Sequence, residues 1–460
     1  MAAMHVIDHW NPEDKGFWER SGRSVATRNL WLSIPALTLA FVVWMLWSVV
    51  VVHLPTAGFR FTTNQLFWLA ALPALCGATL RIFYAFAVPL VGGRRFTALA
   101  TASLLLPALG IGLAVQAPDT PYEVMVVLAL LCGLGGGNFA SSMSNISFFY
   151  PRVQKGYALG MNAGLGNLGV SLVQIVVPLV ISAGVFGVLG GAPRTTPEGA
   201  SLWLQNAGFV WVPFIAASAL AAWFGMNDLA HAKAGFAEQA VIFRRRHNWL
   251  MCWLYLGTFG SFIGYSAGLP LLMQSQFPQV NALHVAWLGP LLGALARPLG
   301  GWMADRLGGA RVTLWAFVAM VAGLLVVLQC LPGRDAAGGS VAGFLAGFML
   351  LFAAAGIGNG STFRMIPLIF LTERQRAADR EDAAAQERAQ QEANKEAAAA
   401  LGFASAVGAY GGFFIPKSYG SSIALTGGPE AALVAFIAFY LTCIAITWWN
   451  YSRRYAPLPC

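Results

Sequence analysis

Apolar residues gather into twelve runs, at about 30–54, 65–90, 96–116, 122–149, 156–189, 203–226, 249–273, 282–304, 312–331, 341–371, 398–422 and 431–450. A bilayer core takes about 20 residues of helix, so each run predicts one membrane-spanning helix, tilted where the run is long. We number them spans 1 to 12. The expected organisation is an N-terminal segment 1–29, a six-helix half 30–226, a linker 227–248, a second half 249–450 and a tail 451–460. One stretch of the second half differs in kind. Residues 372–400 are rich in Ala, Glu, Gln and Arg, which are strong helix formers, and predict a solvated helical insertion joining spans 10 and 11.

Basic residues orient the chain. With the N-terminus inside, the inner segments hold twenty-one Lys and Arg, while the outer loops hold only Arg60, Arg194 and Arg334. Inner loops carry the excess of basic residues in membrane proteins, so both termini are expected in the cytoplasm. The first 28 residues lack an early apolar core, which argues against a cleaved signal peptide and for retention of span 1. Only 10% of residues are charged and 57% are hydrophobic. A soluble domain carries about a quarter charged residues, so a soluble enzyme, a disulfide scaffold and a nucleic-acid-binding domain are excluded. The net charge of +9 is explained by the inner loops and implies no nucleic-acid partner. Cys76, Cys132, Cys252, Cys330, Cys443 and Cys460 lack metal or redox spacing, so no metal and no cofactor are expected.

The two halves resemble each other in the same direction. Gly77-Ala-Thr-Leu-Arg81 in span 2 matches Gly293-Ala-Leu-Ala-Arg297 in span 8. Fourteen residues after each Arg stands another, in Gly92-Gly93-Arg94-Arg95 and Gly308-Gly309-Ala310-Arg311. Gly133, Gly135 and Gly137 of span 4 match Gly356, Gly358 and Gly360 of span 10, and Gly160 and Gly164 of span 5 resemble Gly402 and Gly408 of span 11. Four matches in one order imply two parallel six-helix halves, with a substrate site near the midplane.

The segment Gly301-Trp-Met-Ala-Asp305-Arg306-Leu-Gly308-Gly309-Ala-Arg311 resembles the loop signature of the major facilitator superfamily. The resemblance implies that fold, with Asp305, Arg306 and Arg311 as a gating loop that locks helix ends. The counterpart after span 2 is degenerate, because Pro89 stands where the Asp belongs. Gly133-Leu-Gly-Gly-Gly-Asn-Phe-Ala-Ser-Ser-Met-Ser-Asn-Ile-Ser-Phe-Phe-Tyr-Pro151 and Gly160-Met-Asn-Ala-Gly-Leu-Gly-Asn167 are similar to the signatures of the nitrate/nitrite porter (NarK-type) branch. That resemblance implies a multi-pass protein of a bacterial inner membrane, working as a monomer, with nitrate and nitrite anions and the lipid bilayer as its partners.

Arg81 and Arg297 carry the chemistry. An Arg at the centre of a membrane helix costs about 2.5–3.5 kcal/mol on insertion scales, and the usual compensation is a carboxylate. No acidic residue stands centrally in any span: Asp119, Glu123, Glu198, Asp335 and Glu430 lie in or near outer loops, and Asp228 and Asp305 at inner ends. The compensating charge is therefore expected from the substrate. A guanidinium is flat, permanently charged and a two-point donor, which suits a flat anion with oxygens in one plane. The resemblance implies further contacts from Asn167 and Tyr255, with Phe139 and Phe259 walling the site. Gly133, Gly135, Gly137, Gly164, Gly356, Gly358, Gly360 and Gly408 are expected to allow close helix contact. Arg364 is left open, as a vestibule cation or a partner of Asp305.

Two like charges about 8 Å apart repel by about 2 kcal/mol at an effective dielectric of about 20. An empty site would resist closure and a loaded one would not, which is the logic of obligate exchange. The expected activity is nitrate/nitrite antiport. Nitrate–proton symport is the alternative within transporters, although no span offers a central carboxylate to carry the proton. An anion channel, a haem or quinone enzyme and a carrier of another solute are the remaining readings. The six His residues do not supply facing haem ligands, and the paired arginines favour a small anion.

Overall fold

The computed structural model describes residues 6–196, 199–230, 240–333, 338–378, 382–458 and 460. Glu198, Arg334 and Asp335, named above, lie outside the described residues. Among the described residues the fold is all-α apart from two short strand pairings, Val6–Ile7 with Asp228–Leu229 and Arg194–Thr195 with Ser201–Leu202.

Among the described residues, eleven helices are long and apolar enough to cross a membrane. They are Lys15–His53, Thr63–Tyr84, Gly93–Ala114, Tyr122–Phe149, Arg152–Ile181 and Asn206–Gly225, then Arg246–Gln276, Gly309–Cys330, Val341–Ala377, Ala384–Thr426 and Glu430–Ser452. The twelfth is span 8, a 20-residue helix, Leu288–Leu307. Its apolarity is diluted by Arg297, Asp305 and Arg306, so the helix that carries a candidate site residue is the one that composition marks least clearly.

Helix ends follow local chemistry. Thr62 and Gln65 form a reciprocal capping box at the start of span 2, satisfying two end amides. Ser340 accepts from the Gly343 amide at the start of span 10. Spans 3 and 9 both begin after a glycine at positive φ, Gly92 at 98° and Gly308 at 89°. Only glycine adopts that region without strain, and the two positions correspond in the repeat. The charged stretch 372–400 is not a separate element. Its first part prolongs the span 10 helix to Ala377, and its second begins Ala383–Ala409, which runs on into span 11.

The chain divides into two compact units. The first comprises Met1–Ala234 with Ser266–Ser275 and Gln279–Trp287, and the second Gly235–Tyr265, Gln276–Pro278 and Leu288–Cys460. The C-terminal part of span 7 thus groups with the first unit, where Gln174 Nε2 donates to the Ser266 carbonyl at 2.8 Å. In the second unit, Glu396 is tied to Arg245 at 2.9 Å and to Arg374. These bonds fasten the charged stretch to the end of span 10 and to the segment entering span 7.

Candidate functional site

Arg81 lies on span 2 and is 1% exposed. The glycines of span 4 make its environment. A Cβ on Gly133 would stand 2.7 Å from the Gly77 amide nitrogen, and one on Gly135 would overlap the Ala40 carbonyl. Without side chains there, span 4 comes against spans 1 and 2, and Arg81 Nε donates to the Gly136 carbonyl at 2.8 Å. The guanidinium carbon lies 5.0 Å from the Trp44 ring centroid and 4.7 Å from that of Phe139. Trp44 is itself held by its indole N–H on the Pro73 carbonyl, at 2.9 Å. A hydrogen bond from a charged donor contributes about 1.5–3 kcal/mol and a cation over an aromatic face about 0.5–2. Together they offset the insertion cost and hold the guanidinium charged and oriented.

Arg297 of span 8 sits in the second unit and is half-buried. Its guanidinium carbon lies 5.5 Å from the Phe363 ring centroid. Its Nη1 is buried and has no hydrogen-bond partner among the described residues. A buried charged donor without an acceptor is costly, so this atom is set to receive one. Spans 8 and 10 touch backbone to backbone here: a Cβ on Gly356 would overlap the Gly293 carbonyl, and one on Gly360 the Arg297 carbonyl.

Tyr255 and Phe259 come together on span 7, with ring centroids 5.5 Å apart, and both are buried. Phe259 belongs to a wide π turn, Leu256–Gly260, that begins directly after Tyr255, a feature that recurs at functional sites. Gly408 of span 11 packs on this pair, since a Cβ there would stand 2.8 Å from Tyr255 Cδ1 and 3.3 Å from Phe259 Cδ1. Gly358 lies against Thr258, 2.7 Å from its Cγ2 by the same measure. Asn167 on span 5 is 1% exposed, and its Oδ1 has no hydrogen-bond partner among the described residues. Gly137 packs on Tyr84. Gly164 departs from the expectation of close packing: a Cβ there would meet nothing within 4 Å, because this face of span 5 looks onto open space.

At the C-terminal end of span 8, Asp305 pairs with Arg364 of span 10, whose Nε lies 2.8 Å from the carboxylate. Of the readings left open for Arg364, the structure shows the pair with Asp305. Arg306 stacks on Trp302, at 4.3 Å, and Arg311 is exposed. The degenerate first-half signature is completed from elsewhere in the chain. Asp228, after span 6, accepts from the Arg94 amide at 2.8 Å and Arg94 Nε at 3.3 Å, and pairs with Arg95 at 3.6 Å. At the matching second-half position, the Ala310 amide donates to the Cys460 carbonyl at 3.0 Å. Each unit thus closes the start of its third helix with an acceptor that follows its sixth.

Sequence reasoning missed Trp44, Phe363 and Asp228 as working residues. The glycine match sets Thr362, not Phe363, against Phe139, because Phe363 follows Gly360 by three positions and Phe139 follows Gly137 by two. The repeat therefore does not point to Phe363, and Trp44 and Asp228 leave no trace in it either, because they reach their arginines only through folding.

The chain matches the family model of the Major Facilitator Superfamily over residues 32–381. It is 51% identical to the nitrate/nitrite transporter NarU of Salmonella typhimurium, over 98% of this chain and 97% of that protein. It is 50% identical to NarU of Escherichia coli, over the same shares, and 40% identical to the probable nitrate/nitrite antiporter NarK2 of Thermus thermophilus, over 99% and 98%. Among solved structures, an inward-facing bacterial homologue of the human lysosomal transporter Spinster aligns with a TM-score of 0.60 at 15% identity, over 93% of this chain and 97% of that one. This likeness concerns the fold alone. The chain belongs to the major facilitator superfamily and, within it, to the branch of the nitrate/nitrite porters.

Proposed function

We propose that the chain is a secondary transporter of nitrate and nitrite that exchanges one for the other by alternating access, with the anion held by Arg81 of one half and Arg297 of the other. The observation that carries this reading is the buried Nη1 of Arg297, without a hydrogen-bond partner among the described residues, on a helix whose repeat mate bears the aromatic-clamped Arg81. Relatives at 40–51% identity that are named as nitrate/nitrite transporters or antiporters support the substrate class. Asn167 contributes an amide donor, Tyr255 a hydroxyl, and Phe139 and Phe259 apolar walls beside the flat anion. The halves are residues 30–226 and 249–450, joined by 227–248, in a monomer of a bacterial inner membrane with both termini inside.

Exchange follows from charge. Two guanidinium groups repel in a site of low dielectric, and an anion bridges them. The loaded carrier crosses and the empty one stalls. The test is counterflow into proteoliposomes. External labelled nitrate enters when nitrite or nitrate is inside, and enters slowly when the lumen holds only an impermeant anion. Rapid uptake into such empty vesicles with acidification of the lumen would replace exchange by proton symport.

A further inference from the structure

Behind the Tyr255–Phe259 pair lies a row of buried hydroxyls in the second unit. Tyr265 Oη is 2.6 Å from Tyr440 Oη, which is 2.6 Å from Ser261 Oγ, which is 2.6 Å from the Gly257 carbonyl oxygen. All three side chains are at most 1% exposed. The last link sets the direction of the whole row. A carbonyl only accepts, so Ser261 donates to Gly257, accepts from Tyr440, and leaves Tyr440 to accept from Tyr265. A one-way chain of this kind strengthens each of its bonds.

Gly257 belongs to the π turn Leu256–Gly260. In a regular α-helix the Ser261 amide would take the Gly257 carbonyl. Here that amide donates to Thr258, and the Ser261 hydroxyl takes the carbonyl in its place. One residue of register corresponds to about 100° around a helix, so the wide turn decides how Phe259 is aimed relative to Tyr255. We propose that Ser261, Tyr440 and Tyr265 are positioning residues: through the Gly257 carbonyl they hold the wide turn that sets the Tyr255–Phe259 pair, and thereby the affinity for the anion. This rests on the reading that the pair faces nitrate or nitrite.

The test compares Tyr440→Phe, Ser261→Ala and the double variant in full-length protein, by KM and Vmax of nitrate counterflow. Loss of one hydrogen bond in the chain is expected to raise KM about five-fold, with Vmax within about two-fold. The double variant should be no worse than the worse single variant, because one chain carries both effects. Tyr451→Phe, which removes a buried hydroxyl bonded to His247 instead, should leave KM unchanged. A wild-type KM in Tyr440→Phe and Ser261→Ala overturns the inference, as do KM effects that multiply in the double variant. If Tyr440→Phe fails to fold, Ser261→Ala decides alone. Arg81→Lys, run in parallel, separates the two levels. Its loss of transport beside a silent Tyr440→Phe overturns the positioning role only, whereas wild-type transport in Arg81→Lys overturns the anion site and this inference with it.

Discussion

Replacing Arg81 by Lys keeps the positive charge and removes the planar fork. The structure allows the loss to be itemised. The Nε bond to the Gly136 carbonyl, 2.8 Å long, comes from a group that Lys lacks. The flat group between Trp44 and Phe139 becomes a compact, strongly hydrated ammonium that must shed its water in a buried place. One charge-assisted hydrogen bond contributes about 1.5–3 kcal/mol, and the difference in aromatic stacking adds about 1 kcal/mol. The anion meets the guanidinium in the orientation these contacts hold, so the loss is read in anion binding. A loss of about 2–4 kcal/mol in binding corresponds to about 30- to 1,000-fold in affinity. The assay is nitrate counterflow at matched membrane levels, with direct binding to purified protein as a second measure. Arg81→Lys should insert normally and bind nitrate at least about 30-fold more weakly. Wild-type affinity would show that charge alone suffices, and the argument from guanidinium geometry would fail.

Two further predictions concern the frame around the site. Asp228→Asn keeps the shape and removes the charge that Arg94 and Arg95 share; breaking a buried pair costs about 3–5 kcal/mol, so the melting temperature in detergent should fall by several degrees, and an unchanged melt would remove Asp228 from this clamp. Gly135→Ala places a Cβ on the Ala40 carbonyl and should abolish transport by forcing spans 1 and 4 apart, while Gly164→Ala meets open space and should leave the melting temperature of the purified protein unchanged. Equal melting behaviour of the two variants would contradict the packing described here.

Much of the architecture is legible in the residue order, because crossing a bilayer is a local demand. Each span must bury about 20 residues' worth of backbone in lipid, and the twelve apolar runs record this directly. Their ends are less legible. The helix of span 1 begins at Lys15, well before its apolar run, because helical hydrogen bonds continue where apolar side chains stop. The stretch 372–400 is legible as helix from its composition, yet not as the prolongation of spans 10 and 11, since composition does not say where one helix ends and the next begins.

The arginines were readable for the same local reason: a charge inside an apolar run is expensive wherever the chain later goes, although only Arg297 is central to its helix, and Arg81 stands in the last turn of Thr63–Tyr84. What surrounds them was not. Trp44 and Gly136 reach Arg81 from other spans, and Phe363 reaches Arg297 from span 10. Asp228 serves a loop more than 130 residues earlier, where Pro89 had suggested that no carboxylate served. Gly164 shares its spacing with glycines that pack tightly, yet faces open space. The wide turn Leu256–Gly260 has no signature in the order of residues, and the hydroxyl that meets Ser261 beside it comes from Tyr440 of span 12. The chain by itself determined where helices cross and where charge is buried, because transfer from water to lipid acts residue by residue. Which groups meet that charge was decided only by the tertiary structure, because close contact depends on the shapes of helices far apart along the chain.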